Sequence, residues 1–348
     1  MRQPAKARGR RHHDVARNRE RGSHVKIKDD AAYYAYAAGW STVRRLPEKM
    51  AYKNFDRIAD HLWKKNGGGV RQLEKNLARV VPDASPAQIR ELSRESMRNY
   101  FRYWCDAFRM PDWSHEKIND RFTCVNREYL ADALADGNGA IMTLPHMGNW
   151  DHTGAWGALN YAPVTAIAEK LEPERLFDRF VEYRASLGLR IYPLGQKNVM
   201  GTLATELRTD NRMVALISDR DLTAHGVEVN FFGEKTRMPA GAASLALRTG
   251  APILPLTLWY DGPNSCAEIH PPIKVPHGAP TGDDARNQPG FADAVANMTQ
   301  QVADAFAKGI SEHPTDWHMM QKLWLADLDQ SKLAASDAAG GRSPAGGQ

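Results

Sequence analysis

The chain has 348 residues, 42% apolar and 25% charged, which is enough to bury a large α/β core and argues against a disordered or fibrous protein. Its net charge of +5 is uneven. Residues 1–28 carry ten Lys and Arg against Asp14 and Glu20, so this tail is +8 and the remainder is −3. The three cysteines, Cys105, Cys124 and Cys266, are odd in number and far apart, which excludes a disulfide framework and a CxxC metal site and fits a reducing compartment.

No apolar run reaches the length of a membrane span, and the N-terminus lacks the apolar core of a secretory signal. The basic tail, residues 1–30, has too few apolar side chains to offset its ordering entropy and is expected to be disordered. Two readings of it stand: a solvated extension, or a cationic arm for an anionic membrane or nucleic acid.

From residue 31 the pattern becomes helical. Tyr33, Tyr36, Trp40 and Val43, then Ala51, Phe55, Ile58 and Leu62, recur at three and four residues on either side of Pro47. Arg44, Arg45, Lys49, Lys53, Arg57, Lys64 and Lys65 crowd the same stretch, so one of these helices suits a lipid interface or a solvated basic face. A third helix is expected over Val70–Val81. A fourth runs from Ser85-Pro86 to Arg109, with Ser85 as N-cap and an aromatic stripe that reads as core. The region to about residue 125 is therefore expected to be helical.

The remainder alternates. Helices are predicted over Glu128–Ala135, Trp150–Leu159, Glu174–Leu187, Val199–Leu207, Ala240–Arg248 and Phe291–Ile310. Strands are predicted over Ala140–Leu144, Val164–Ala168, Leu189–Leu194, Met213–Ser218, Val227–Phe232, Ile253–Trp259 and Glu268–Val275. This order implies an α/β fold with a mostly parallel sheet flanked by helices. Residues 31–328 are expected to form one domain, with a helical part over 31–125 and an α/β core over 126–328. The Gly-rich stretch 329–348 is expected to be disordered.

One segment carries chemistry. LPHMGNWD, residues 144–151, follows a buried strand and leads into a helix. On one continuous helix, His146 and Asp151 would sit roughly 140° apart at about 100° per residue, out of contact. With His146 on the loop, Asn149 as N-cap and Asp151 in the first turn, the carboxylate is expected to fix the imidazole tautomer and leave the other nitrogen as base. No serine or cysteine follows at catalytic spacing, so the activated hydroxyl belongs to a substrate. The charge cluster Asp219, Arg220 and Asp221 after a strand reads as structural or donor-orienting.

LPHMGNWD resembles the H-x4-D/E motif of glycerolipid acyltransferases, in the H-x-G-N-W-D/E form of the lipid A late acyltransferase family. The blocks at 168–188, 218–255 and 316–325 and the segment YAYAAGWSTVRRLPEKMA are similar too, so the resemblance spans about residues 31–328. It leans toward the family's actinobacterial phosphatidylinositol mannoside branch, with the lipid A branch or another glycolipid acyltransferase as alternative.

That resemblance implies transfer of a fatty acyl group from acyl-CoA, palmitoyl-CoA being the usual donor, to the 6-hydroxyl of the mannose on inositol position 2. His146 and Asp151 would be catalytic. Glu169, Arg184 and Glu228 would meet substrate, and Lys235 and Arg237 are candidates for the CoA phosphates. A backbone amide near Gly148–Asn149 or Arg184 would stabilise the oxyanion. No metal, bound cofactor, specific nucleic acid or obligate protein partner is implied. The expected location is peripheral, on the cytoplasmic face of an anionic membrane. A thioesterase is the weaker alternative, and the lack of a G-x-S-x-G elbow argues against an α/β-hydrolase.

Overall fold

The computed structural model describes residues 39–169, 174–221 and 226–328. Both predicted tails lie outside these residues, as do Tyr33 and Tyr36. After a helical stretch at 39–45, the N-terminal third is built from α1 (Glu48–Lys65), α2 (Gly68–Val80) and α3 (Pro86–Arg109). Pro47 separates the first two helical pieces, as its missing N–H allows at a helix start. Ser85 closes a full capping box with Gln88, and Pro86 occupies the first turn of α3.

The chain continues through α4 (His115–Asp120), β1 (Phe122–Val125), α5 (Glu128–Ala135), β2 (Ala140–Leu144), α6 (Trp150–Asn160) and β3 (Val164–Ala168). Next come α7 (Glu174–Ser186), β4 (Leu189–Pro193), α8 (Val199–Asp210), β5 (Met213–Ile217), β6 (Val227–Phe231) and β7 (Glu234–Met238). The last elements are α9 (Gly241–Thr249), β8 (Ile253–Asp261), β9 (Asn264–Ile269) and α10 (Phe291–Glu312).

Seven strands form one sheet in the order β1-β9-β8-β2-β5-β3-β4, and only β8 and β9 pair antiparallel within it. The expected mostly parallel α/β fold with a helical N-terminal region is what the chain adopts. β2 lies in the middle and is buried along its whole length. Alternate residues feed opposite faces, as a pleated strand requires. Ile141, Val214 and Ile253 pack with Leu203, Leu207, Met298 and Phe306 of α8 and α10. Met142, Leu144 and Leu256 pack with Leu130 of α5 and Trp156 of α6 on the other side.

Three expectations need correction. Residues 122–125 are not the end of a helical region but the edge strand β1, four residues whose partner β9 lies more than a hundred positions away. The last predicted strand is displaced: β9 ends at Ile269, before Pro271 and Pro272, which lack the N–H a ladder needs. β6 and β7 make a separate antiparallel hairpin through Phe232 and Gly233, both at positive φ (50° and 79°), the backbone demanded by a two-residue I′ turn.

Candidate active site

The site is built where two parallel strands end together. β2 and β5 are in register from Ala140↔Met213 to Leu144↔Ile217, and Ser218 N–H donates to Leu144 C=O at 2.9 Å. One residue further on, His146 N–H donates to Asp219 Oδ2 at 3.0 Å. The side chains then close on each other, with His146 Nδ1 and Asp219 Oδ1 2.6 Å apart. Asp219 is fully buried, and its Oδ2 also accepts from Trp317 Nε1 at 3.0 Å. Every contact to this carboxylate is a donor, so it serves as a fixed negative charge under the imidazole.

The imidazole itself remains 42% exposed. Burial of part of the ring pulls its pKa down, but the Asp219 carboxylate more than offsets this, so His146 is raised above its ordinary value. Burial likewise pushes the Asp219 carboxyl up, and the paired His146 with its hydrogen bonds brings it below the usual carboxylate range. With Nδ1–H held by Asp219, Nε2 is the basic nitrogen, and among the described residues it has no hydrogen-bond partner.

The loop carrying His146 is clamped from the C-terminal side. Gly148 N–H donates to Asp316 C=O at 2.9 Å, and His318 N–H donates to His146 C=O at 2.7 Å. Met147 forms a β-bridge with Trp317. Gly148 has φ +56°, and a Cβ there would come within 2.6–2.9 Å of Leu258, backbone included. Any side chain would therefore push the loop off β8. Asn149 caps α6 by accepting from His152 N–H at 2.9 Å, as predicted.

Asp151 stands in the first turn of α6 as expected, but it is not the carboxylate on His146. Its Oδ1 accepts from Arg184 Nε at 2.8 Å and its Oδ2 from Tyr103 OH at 3.0 Å. The helix turns this side chain toward α7 and α3, while lateral strand order brings Asp219 to the imidazole. Asp151 and Arg184 have side-chain exposures of only 2% and 18%. Removing one partner leaves the other charge buried, so Asp151→Ala is expected to cost about 3–5 kcal/mol of stability. A urea midpoint unchanged from the parent would contradict this.

Arg184 is thus tied to Asp151 through Nε at 2.8 Å and Nη2 at 3.5 Å. Gly148 N–H is likewise engaged by Asp316. Glu169 is exposed at the end of β3, one strand further from His146 than Asp219, because β5 lies between β2 and β3. The field of Glu169 is felt by Arg220.

Glu228 and Lys235 pair with each other at 2.6 Å on the exposed side of the hairpin, and Glu228 lies opposite Arg237. Asp221 N–H donates to Arg237 C=O at 2.8 Å, which docks this hairpin two residues beyond Asp219. Sequence reasoning placed Asp219 in a charge cluster without assigning it to His146, and it missed Trp317, Tyr103 and His318. The available signal was positional: Asp219 follows its strand by two residues, as His146 follows its own.

The chain matches the model of the family described as bacterial lipid A biosynthesis acyltransferase over residues 19–326. It is 43% identical over 302 residues to a protein of Mycolicibacterium smegmatis named phosphatidylinositol mannoside acyltransferase, covering 86% of this chain and 93% of that protein. It is 42% identical over 308 residues to a protein of the same name from Mycobacterium tuberculosis, covering 87% of this chain and 92% of that one.

Proposed function

We propose that this chain, which belongs to the bacterial lipid A biosynthesis acyltransferase family, moves a fatty acyl group from acyl-CoA to a mannose hydroxyl of a phosphatidylinositol mannoside. The observation that carries the mechanism is the His146–Asp219 pair, with Nδ1 held and Nε2 open. Nε2 takes the acceptor hydroxyl proton as the oxygen attacks the thioester carbonyl carbon. The carbon–oxygen bond forms and the carbonyl electrons move to oxygen. Collapse of that oxyanion breaks the carbon–sulfur bond, and the leaving thiolate takes the proton back from His146. The acceptor is the nucleophile, so no acyl-enzyme forms.

The names and extents of the relatives support the mannoside acceptor, and we assign palmitoyl-CoA as donor with attack from the 6-hydroxyl of the mannose on inositol position 2. Leu194 after β4 and Ile217 at the end of β5 are exposed apolar side chains at the sheet end that carries the dyad, and they suit an acyl chain. Lys235 and Arg237 on the docked hairpin are assigned to the CoA phosphates. Glu169 and Glu228 are assigned to sugar hydroxyls, and Asp151 with Arg184 to holding the wall between α6 and α7.

Mass spectrometry of products from the purified protein, palmitoyl-CoA and phosphatidylinositol mono- and dimannosides tests this. The expected product carries palmitate on that mannose; acylation of a glycerol or inositol oxygen refutes the regiochemistry. Release of CoA at full rate without acceptor would indicate a thioesterase.

The raised pKa of His146 fixes a pH dependence. Only the neutral ring is a base, so kcat/KM is expected to rise with pH through an apparent pKa above 6.5, roughly tenfold per unit on the acid limb. A limb centred below 6 would contradict the pairing with Asp219. The sign for stability is opposite. The pair stabilises the fold below the unfolded pKa of about 6.5, and that contribution is lost as pH rises through the raised folded value.

No helix among the described residues is long and apolar enough to cross a membrane. On α1, Met50, Ile58 and Leu62 are exposed apolar side chains, 52%, 45% and 36% accessible, among the exposed cations Lys49, Lys53, Arg57, Lys64 and Lys65. We assign this helix to peripheral contact with an anionic bilayer on the cytoplasmic face, each cation contributing about 1 kcal/mol. Reversing Lys53, Arg57 and Lys64 to Glu is expected to abolish sedimentation with phosphatidylglycerol vesicles. Unchanged sedimentation would exclude α1 as the contact.

A further inference from the structure

We infer that His318 is a further catalytic residue, its imidazole N–H donating a hydrogen bond to the oxyanion that forms beside His146. The inference rests on the acyl-transfer reading above. Its first support is position. His318 is tied through its own backbone to the reactive loop, donating N–H to His146 C=O at 2.7 Å. Its ring and that of His146 both lie 6.4 Å from the indole of Trp150, and the charge of His146 is felt at His318.

The second support is an unmatched hydrogen-bonding group. His318 is 7% exposed, yet both of its ring nitrogens are buried without a hydrogen-bond partner among the described residues. The other deeply buried histidines do not behave so. His152 bonds Ser265 Oγ at 3.0 Å and Ile118 C=O at 2.9 Å, and His270 bonds Thr257 Oγ1 at 3.0 Å. Buried polar groups are nearly always satisfied, so an orphan beside a reactive histidine marks a group kept for something that arrives later.

The third support is exclusion. Two of the donors first expected to meet an oxyanion are engaged, Gly148 N–H with Asp316 and Arg184 Nε with Asp151, which leaves the amides at the start of α6 as the competing donors. His146 N–H is held by Asp219. His318 is packed by the rings of Tyr100, 5.6 Å away, and Trp150. Both ring nitrogens are buried, so Trp150, itself only partly buried, has to shift for an oxyanion to reach the imidazole. Burial, helped by the neighbouring His146, holds His318 down at about 3. A neutral imidazole of this kind donates a hydrogen bond to a developing oxyanion without competing for the proton that His146 carries.

The test uses the full chain with palmitoyl-CoA and phosphatidylinositol dimannoside, following CoA release and the thermal midpoint. His318→Phe removes both orphan nitrogens and keeps the shape, so the midpoint is expected at or above that of the parent. Its kcat is expected to fall about 10²–10³-fold, with KM for palmitoyl-CoA nearly unchanged. His318→Gln restores a donor and is expected to recover about tenfold over Phe. If Phe is too large for the protein to fold, His318→Leu replaces it in the same comparison. Near-parental kcat in the apolar variant assigns the oxyanion to the amides at the start of α6 and overturns the inference, as does a Gln variant no better than the apolar one. A parent inactive on these substrates removes the functional reading as well, which separates the two failures.

Discussion

Acyl transfer by His146→Ala is expected to fall by about 10²–10⁴-fold, the range a positioned general base contributes, with the protein still folded. The fold should survive because the buried carboxylate is not orphaned. Asp219 Oδ2 keeps the His146 backbone amide and the Trp317 indole as donors, each at 3.0 Å, and only Oδ1 loses its partner, the imidazole. A side chain already 42% exposed leaves no sealed cavity. The stability loss should therefore be that of one charge-assisted hydrogen bond, about 1.5–3 kcal/mol. CoA release and circular dichroism on the same preparation measure both. A folded variant with most of its activity would remove the base from the mechanism, and an unfolded one would show that the loop, and not the proton transfer, depends on the ring.

The elements of this fold were legible because their periods are local. AIMTL, VTAIA and MVALI are short apolar runs bounded by turns, and the helices between them carry caps such as Ser85 and Asn149. What local pattern does not contain is lateral order. Reading along the chain makes Asp151 the carboxylate nearest His146, because it is five residues away. The sheet inserts β5 between β2 and β3, and this brings Asp219, 73 residues on, to the imidazole while it moves Glu169 one strand outward. The hairpin was half hidden for a related reason. Phe232 is not a turn-forming residue by composition, yet it takes φ 50° because the pairing Phe231↔Glu234 leaves two residues to reverse the chain.

The block DWHMMQKLWL gains a physical role that resemblance alone did not supply. Asp316, Trp317 and His318 each make one hydrogen bond to the reactive loop or to its carboxylate. The strap is in turn held by α2. Asn76 Nδ2 donates to Met319 C=O at 2.8 Å and to Gln321 C=O at 3.0 Å, and Arg79 pairs with Asp327 and Glu234 while lying over Trp324. The helical N-terminal part therefore reaches the site through the C-terminal strap, so damage at Asn76 should be felt at His146 without any contact between them.

Asp219→Asn isolates the dyad more sharply than any other change. The amide oxygen of Asn can still accept from the His146 backbone and the Trp317 indole, so the buried site stays satisfied and the protein should fold. Its NH₂ group then faces Nδ1, which must become the acceptor, and the ring proton moves to Nε2. The base is replaced by a donor pointing at the acceptor hydroxyl. In a histidine–aspartate pair this wrong tautomer costs about 10⁴ in kcat. Loss of the carboxylate also removes what raises His146, so the acid limb of residual activity should shift to lower pH. Asp151→Asn makes the contrast. It weakens the links to Arg184 and Tyr103 and should lower the urea midpoint, but it leaves the His146 tautomer alone and should cost far less in kcat per molecule folded. If Asp151→Asn proves the more damaging to kcat, with Asp219→Asn near parental and its acid limb unmoved, then the carboxylate that matters in the transition state is the one on α6, and the loop must rearrange to reach it.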